Sequence, residues 1–330
     1  MSTKRLEQAA QATKTAFVFP GQGSQKVGML AELAEQFSVV RDTFAEASAA
    51  LGFDLWQIAQ SGEGLDQTEN TQPVLLTASI ALWRVWLELG GIAPKYLAGH
   101  SLGEYSALVA AEAMTLADAV KLVHLRGKLM QSAVPQGTGA MAAILGLVDE
   151  KVIELCQKVN ASAAGQGSVE AANYNAQGQV VIAGSTALVQ QVMAEAKEQS
   201  GKAIALPVSV PSHCTLMKPA AEKFAEALEQ TAIELPHLPV IQNVNAEIAT
   251  DVAQLRQALM AQLYQSVQWT RTMQYLQDEG VQYVVECGPG TVLSNLAKRL
   301  PNIEKAFAID SKARMEDALN AVLVAEGKIA

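Results

Sequence analysis

The sequence is poor in the residues that mark several protein classes. It holds three cysteines in 330 residues, Cys156, Cys214 and Cys287, and no Cys-x-x-Cys pair. This spacing excludes a disulfide scaffold and predicts reduced thiols in a cytoplasmic protein. The chain also lacks an H-E-x-x-H motif and a Cys/His cluster. We therefore expect no metal site and no cofactor.

Basic charge and long apolar runs are scarce as well. Lys and Arg number 24 against 33 Asp and Glu, a net charge of −9, which argues against nucleic acid or an anionic membrane as partner. No apolar run reaches the roughly 18 residues that span a bilayer. Residues 1–14 lack the apolar stretch of a secretory signal, and we expect them to form a flexible leader. Half of the residues are hydrophobic and 17% are charged, which is typical of a compact globular protein.

Strand-like and helix-like segments alternate along most of the chain. This alternation predicts an α/β fold with a mainly parallel sheet between helices. Residues 139–206 follow instead the order β-α-β-β-α-β, which is the order of a ferredoxin-like unit. We therefore predict a large α/β domain of residues 15–137 and 208–330, interrupted by a small ferredoxin-like domain of residues 138–207.

The most informative stretch is a G-x-S-x-G pattern with Ser101 at its centre. It lies between an apolar segment that ends at Ala98 and a helical run that begins at Glu104. A serine in a sharp strand-to-helix turn presents its hydroxyl outward, as a nucleophile does. The same turn directs backbone N–H groups, that of Leu102 first, at an oxyanion formed beside the serine. The pattern alone gives roughly 0.1 chance matches in such a chain, so its placement between strand and helix carries the interpretation.

A nucleophilic serine needs a base, and the chain has four histidines. His100 adjoins Ser101 across a tight turn and points away from it, His124 falls on a polar helix face, and His237 lies in a proline-flanked connection. His213 ends an extended segment where a helix begins, a position where sites collect in α/β sheets. Its alternative role is a hydrogen-bonded structural histidine. No Asp or Glu stands where a hydrolase triad would place one, so we expect a Ser–His dyad whose imidazole is held by a neutral acceptor.

Helical periodicity singles out Arg126. At about 100° per residue it falls inside the apolar arc of the helix that begins at Leu116, whereas Lys121 and Lys128 lie on the opposite side. A buried guanidinium is costly unless an anion pairs with it. Two interpretations stay open: a structural or partly exposed ion pair, and a bidentate clamp for a substrate carboxylate.

A glycine-rich turn, PGQGSQ at residues 20–25, follows the first strand. Lys26 stands where the third glycine of a dinucleotide-binding loop would be, and no Walker A motif is present. The segment is either a plain tight turn or the source of a second oxyanion donor, the N–H of Gln22.

Five motifs occur together in one order: FVFPGQGSQ (17–25), GHSLGEY (99–105), LRG (125–127), VPSH (210–213) and VQW (267–269). In these motifs the chain resembles the malonyl-CoA:acyl-carrier-protein transacylase family of bacterial type II fatty acid synthesis. The resemblance extends from Ala16 to the C-terminal region. It implies an α/β-hydrolase-like large domain with a parallel sheet, interrupted by a small ferredoxin-like (βαββαβ) domain.

The resemblance also implies a role for six residues. Ser101 would be the nucleophile, His213 the base, and the backbone amides of Gln22 and Leu102 the oxyanion hole. Arg126 would bind the malonyl carboxylate, and the backbone carbonyl of Gln268 would accept from His213 Nδ1–H. The implied reaction is ping-pong transfer of malonyl from malonyl-CoA, through a malonyl-serine, to the phosphopantetheine thiol of acyl carrier protein. The enzyme would be a monomer with no metal or cofactor.

Because carrier proteins are acidic, we expect a basic docking patch at Lys197 and Lys202 or at Lys298 and Arg299. The alternatives are a serine esterase or thioesterase, a malonyl loader for a polyketide-type carrier, and a non-catalytic module that binds CoA or a carrier.

Overall fold

The computed structural model describes residues 13–208 and 210–329. The strands in these ranges are β1 (Thr15–Phe19), β2 (Tyr96–Gly99), β3 (Gly139–Leu145), β4 (Val169–Ala176), β5 (Gln179–Ser185), β6 (Lys202–Ala205), β7 (Val240–Ile241), β8 (Tyr283–Glu286) and β9 (Lys305–Ala308). The predicted leader, residues 1–14, lies outside the described residues except for its last two positions.

The α-helices of the described ranges are α1 (Ala31–Gln36), α2 (Ser38–Leu51), α3 (Leu55–Ser61), α4 (Thr68–Glu88), α5 (Gly103–Ala110), α6 (Leu116–Ser132), α7 (Asp149–Ser162), α8 (Thr186–Glu198), α9 (Lys218–Gln230), α10 (Val252–Ala261), α11 (Trp269–Asp278), α12 (Val292–Ala297) and α13 (Lys312–Ala325). A short 3₁₀ helix at Thr215–Met217 precedes α9. No helix in the described part of the chain is long and apolar enough to cross a membrane.

A parallel sheet forms the larger of the two cores. Its strand order is β7-β2-β1-β8-β9, and every pairing is parallel. All five residues of β1 are buried, as expected for a strand with helices on both faces. The register places Phe19 opposite Gly99 and Ala98 opposite Ile241. The turns that follow β1, β2 and β7 therefore lie side by side at the carboxyl edge of the sheet.

The second sheet is antiparallel, with the order β4-β5-β3-β6. Helices α7 and α8 pack on one of its faces, where Ile144, Val180 and Ile182 are buried. The chain runs β3-α7-β4-β5-α8-β6, which is the predicted ferredoxin-like order. The predicted fold class, a parallel α/β unit with a ferredoxin-like unit inside it, is therefore confirmed. The exact domain boundaries stay a prediction.

Helix α6 crosses α4 at very close range. A Cβ built on Gly127 would lie 2.6 Å from the Cα of Glu69, a contact that only glycine avoids. Arg126, the preceding residue, is fully buried, with Gln72 of α4 among its hydrogen-bond partners. The apolar arc predicted for α6 is thus the face that packs into the core.

Candidate active site

Ser101 occupies a sharp turn between β2 and α5. Its φ angle is 53°, in the left-handed region that a residue with a side chain adopts only when the surrounding structure holds it there. The backbone N–H of Ser101 donates to Asn243 Oδ1 at 2.7 Å. A Cβ on Gly99 would overlap the backbone of Gly103, and one on Gly103 would overlap the carbonyl of Phe19. The glycines of the motif are required by this packing.

Ser101 and His213 form a hydrogen-bonded pair. Ser101 Oγ lies 2.8 Å from His213 Nε2, and His213 Nδ1 lies 2.6 Å from the backbone oxygen of Gln262. A carbonyl only accepts, so Nδ1 carries the proton and Nε2 is left to accept from the serine hydroxyl. This is the geometry that a serine nucleophile and its general base require.

The carbonyl that holds His213 is not the predicted one. Gln268, expected to supply it, caps α11, and its backbone oxygen accepts from Thr272 N at 2.9 Å. Gln262 follows the last residue of α10, where helix carbonyls lack intrahelical donors. Its oxygen is therefore available to the imidazole, and the prediction for Gln268 is wrong.

His213 is 3% exposed, and its pKa falls from 6.5 to about 3. Burial is the main cause, and the positive charge of Arg126 is the second. The hydrogen bond to Gln262 opposes both effects. His213 is therefore neutral at physiological pH, as a proton acceptor must be.

Arg126 is fully buried and faces the serine. Its NH1 donates to Gln72 Oε1 at 2.8 Å, its NH2 donates to Gln262 Oε1 at 2.9 Å, and NH2 lies 3.4 Å from Ser101 Oγ. No described carboxylate forms an ion pair with the guanidinium, and no described group accepts from its Nε. The cation is held by neutral amides beside the serine hydroxyl, and it has no ion-pair partner among the described residues.

The two predicted oxyanion donors lie on neighbouring turns. Gln22 follows β1 and Leu102 follows β2, and both residues line the cavity at Ser101. The turns are in close contact, since a Cβ on Gly21 would lie 2.6 Å from the carbonyl oxygen of His100. Neither amide donates to an acceptor within residues 13–208 and 210–329. Both N–H groups are thus free to bind an oxyanion.

A cavity of about 300 Å³ joins the two sheets at this site. Ser101, Arg126 and His213 line it on the side of the parallel sheet, and Met141 and Val181 line it on the antiparallel side. Its volume is at the lower end of the range of small-molecule sites. No group of His, Cys, Asp and Glu in the described ranges is arranged to hold a metal.

His100 connects the two sheets across the cavity. Its Nε2 lies 2.8 Å from Asn175 Oδ1, and burial lowers the pKa of its ring. The ring packs against Trp269 at an interplanar angle of 60°, with centroids 5.4 Å apart, and makes no hydrogen bond to Ser101. It is therefore a wall of the cavity, in agreement with the prediction that it is a poor base.

A family model described as acyl transferase domain matches residues 16–314. The chain belongs to the acyl transferase family. This acyl transferase is 52% identical to the malonyl CoA-acyl carrier protein transacylase of Salmonella typhimurium over 310 residues, 93% of this chain and 99% of that protein. It is 44% identical to the protein of the same name from Bacillus subtilis, over 93% of this chain and 96% of that protein.

Solved structures agree with these sequence matches. The crystal structure of FabD from Acinetobacter baumannii superposes with a TM-score of 0.93 and 88% identity, covering 95% of this chain and 99% of that one. A complex described as a type II PKS acyl-carrier protein with its malonyl-transacylase matches with a TM-score of 0.90 and 49% identity, over 93% and 99% of the two chains. The resemblance inferred from the five motifs is therefore confirmed.

Sequence reasoning missed several residues that hold the site of this acyl transferase. Gln262 contacts Arg126 and His213, and Asn243 holds the Ser101 amide. Glu104 lies inside the GHSLGEY motif, and its carboxylate bonds to both Gln262 and Asn243. Of these three residues, only Glu104 could have been noticed in the sequence, because it is an acidic residue at the start of a helix that is otherwise largely apolar and buried.

Proposed function

We propose that this acyl transferase moves the malonyl group of malonyl-CoA to the phosphopantetheine thiol of an acyl carrier protein, through a malonyl-serine at Ser101, and so supplies extender units for fatty acid synthesis. The observation that carries the proposal is the buried guanidinium of Arg126, 3.4 Å from Ser101 Oγ and without a carboxylate partner among the described residues. Such a cation needs an anion, and the free carboxylate of malonyl supplies one on the acyl group itself. The transacylase names of the relatives support the same substrate.

In the first half-reaction, His213 Nε2 takes the proton of Ser101, and Oγ attacks the thioester carbonyl of malonyl-CoA. The negative charge that develops on the carbonyl oxygen is stabilised by the N–H groups of Gln22 and Leu102. The tetrahedral intermediate then collapses: the C–S bond breaks, and His213 returns its proton to the CoA sulfur. The product is the malonyl ester of Ser101.

The second half-reaction uses the same groups in the same order. His213 takes the proton of the carrier's phosphopantetheine thiol, and the sulfur attacks the ester carbonyl. The intermediate collapses with loss of Ser101 Oγ, which recovers its proton from His213. The reaction is therefore ping-pong, with one acyl-enzyme between two thioesters.

Arg126 couples substrate charge to the base. Its positive charge is the second cause of the low pKa of His213. A malonyl carboxylate on the guanidinium offsets that charge, so binding raises the pKa of His213 towards the range of an effective general base. A neutral acyl group leaves the guanidinium without an anion and His213 a weaker base. Selectivity and reactivity thus depend on the same contact.

We further propose that the enzyme acts as a cytoplasmic monomer, without a metal, a cofactor, nucleic acid or a membrane. The three cysteines support an intracellular location, because all are unpaired and buried. For carrier docking we favour Lys298 and Arg299 over Lys197 and Lys202. They directly follow α12, whose Val292, Leu293 and Leu296 line the cavity.

The test is intact-protein mass spectrometry after mixing with malonyl-CoA, followed by addition of holo acyl carrier protein. We expect a malonyl adduct that maps to Ser101 and then moves to the carrier. Rapid loss of the adduct to water, with no malonyl on the carrier, would favour a thioesterase, and absence of any adduct would favour a non-catalytic binding module. Comparing the transfer rates to carriers from fatty acid and from polyketide synthesis distinguishes the proposed function from the alternative of a polyketide loader.

A further inference from the structure

One buried carboxylate beneath the nucleophile has no part in the mechanism above. Glu104 is 1% exposed, in the first turn of α5, three residues after Ser101. Its Oε2 accepts from Gln262 Nε2 at 2.6 Å and from the backbone N–H of Asn243 at 3.2 Å. Its Oε1 has no partner in the described part of the chain. A buried carboxylate costs stability, so its retention in this position calls for a function.

Gln262, which Glu104 holds, contacts all three central groups of the site. Its backbone oxygen accepts from His213, and its Oε1 accepts from Arg126. Its Nε2 donates to Glu104 and, at 3.0 Å, to the backbone oxygen of Ser101. The side-chain oxygen of Gln262 thus contacts the Arg126 cation, and its side-chain nitrogen contacts the Glu104 carboxylate.

Asn243, the second residue that Glu104 contacts, holds the sharp turn that carries Ser101. Its Oδ1 accepts from the N–H of Ser101 at 2.7 Å, and its Nδ2 donates to the carbonyl of Gly99 at 2.5 Å. The strained backbone of Ser101 is therefore held from outside the turn. Glu104 is bonded to both residues that hold the catalytic groups.

We propose that Glu104 is a positioning residue for acyl transfer, which orients Gln262 and Asn243 and through them the base, the carboxylate-binding cation and the nucleophile. Glu104 lines no part of the cavity and touches no substrate. Through Gln262, Glu104 provides a carboxylate behind His213, which the Ser101–His213 dyad otherwise lacks. The inference rests on the proposed function, because the property it explains is the rate of malonyl transfer.

The charge of Glu104 fixes the orientation of the Gln262 amide. A reversed amide would direct its NH₂ at Arg126 and its oxygen at Glu104, so both contacts would be repulsive. Without the carboxylate, Arg126 and the backbone oxygen of Ser101 still favour this orientation, but the charge-assisted hydrogen bond from Nε2 to Glu104 is lost. A small displacement of Gln262 then moves the carbonyl that aligns His213, and such misplacement is costly to catalysis.

Ionisation of Glu104 provides a readout that a purely structural residue would not give. Burial raises the pKa of Glu104 to about 7, against the opposing effects of Gln262, Asn243 and Arg126. Among the other titratable groups that face it, burial raises the pKa of Tyr105 and lowers that of Arg126, and a guanidinium keeps its charge in proteins. The pKa of His213, reached through Gln262, is about 3. A loss of kcat/KM just below neutral pH, which reflects ionisation in the free enzyme, therefore reports on Glu104.

The experiment measures kcat and KM for malonyl transfer from about pH 5 to about pH 9 in the full chain, Glu104→Ala and Glu104→Gln. We expect Glu104→Ala to lower kcat about 100-fold with little change in KM for malonyl-CoA. Glu104→Gln keeps the shape and one acceptor, and we expect it to restore part of the rate, to about tenfold below the unsubstituted enzyme. The kcat/KM of the unsubstituted enzyme should fall below about pH 7, whereas that of Glu104→Gln should be constant there.

Two control variants separate positioning from stability. Glu286→Gln removes another fully buried carboxylate, which accepts from the N–H groups of Leu293 and Ser294, and should lower the melting temperature without changing the pH profile. Ser106→Ala removes a buried hydroxyl of the same helix that has no described partner, and should leave kcat within about twofold.

Full kcat and an unchanged acid limb in Glu104→Gln would overturn the inference, as would a loss of melting temperature with no loss of kcat. If Glu104→Ala does not fold, the pH profile of Glu104→Gln decides alone. Failure of the unsubstituted enzyme to form a malonyl-serine would instead refute the proposed function, and this inference with it.

Discussion

The two sheets contribute to the cavity in different ways. The parallel sheet supplies backbone: the turns after β1, β2 and β7 meet at its carboxyl edge and present two free amides, a strained serine and the asparagine that holds it. The antiparallel sheet supplies side chains: Met141 and Val181 line the cavity from its open face, which is the face that α7 and α8 do not cover. Neither sheet forms the site alone.

The difference follows from how each sheet is buried. Strands of a parallel sheet are covered on both faces, so only their ends are free to carry chemistry. An antiparallel sheet can be covered by helices on one face only, and here α7 and α8 cover one face, whereas the other packs against Cys214 and Leu216 and lines the cavity. We therefore expect changes at the strand ends to affect rate, and changes on the open face to affect which acyl group fits.

The largest effect should come from the nucleophile. Ser101→Ala should lower malonyl transfer at least about 1,000-fold and abolish the covalent adduct, because no other described hydroxyl is bonded to His213 Nε2. The measurement is transfer of malonyl to holo carrier protein, with the melting temperature as a check on folding. A residual rate near that of the unsubstituted enzyme would refute the proposal for Ser101.

Arg126→Ala should give the next largest effect, and it should be selective. Malonyl transfer should fall about 100-fold or more, whereas acetyl transfer should change little or rise, because only malonyl pairs with the guanidinium. Competing malonyl-CoA and acetyl-CoA in one reaction measures the ratio directly. Arg84→Ala is the control, since Arg84 forms a partly exposed pair with Glu46 and neither residue lines the cavity. An equal loss for both acyl groups would mean that Arg126 has a structural role only.

His213 lies between the two regions, and its burial affects stability as well as chemistry. Its pKa is 6.5 when exposed and about 3 in the fold, so between these values the unfolded chain binds a proton that the folded chain does not. The free energy of unfolding therefore decreases as the pH falls from 6.5 towards 3. Between pH 7 and pH 4.5, the free energy of unfolding of the unsubstituted protein should fall by about 2 kcal/mol more than that of His213→Asn.

Urea denaturation at the two pH values measures this difference. His237→Asn is the matched control, because the side chain of His237 is 40% exposed. It should lose at least as much stability on acidification as the unsubstituted protein does, because His237 Nδ1 lies 2.9 Å from Glu112 Oε2 and a protonated ring forms an ion pair there. An identical acid loss in His213→Asn would show that His213 is protonated in the folded state at pH values where we expect it to be neutral.

The smallest effect should come from the open face of the antiparallel sheet. Val181→Ala should lower the free energy of unfolding by about 1 kcal/mol, leave malonyl transfer within about threefold, and raise the relative rate with methylmalonyl-CoA, because it widens the cavity. Val180→Ala is the control on the same strand, since Val180 packs against α7 and α8 on the opposite face. Val180→Ala should lose stability with no change in acyl selectivity. If Val180→Ala and Val181→Ala changed selectivity equally, the proposed division between the two faces would be contradicted.

Sequence patterns predicted the site residues whose chemistry lies in their own side chains. Ser101 stood in a motif, Arg126 in an apolar arc, and His213 at the end of a strand-like segment; all three line one cavity. Gln262 could not be found in this way, because it acts on His213 through a backbone oxygen that every residue has. The motif-based choice of Gln268 failed because that oxygen already bonds within α11.

Local sequence patterns specify the local conformations: alternating strands and helices, glycines where backbones meet, and an arginine on a buried helix face. These follow from periodicity and from the steric limits of single residues. Which groups meet depends on the packing of the whole chain. Glu104, Asn243 and Gln262 are separated by up to 158 residues, yet they form one hydrogen-bonded group beneath Ser101. Their contact depends on strand order and helix packing across the whole chain, and no local pattern encodes it.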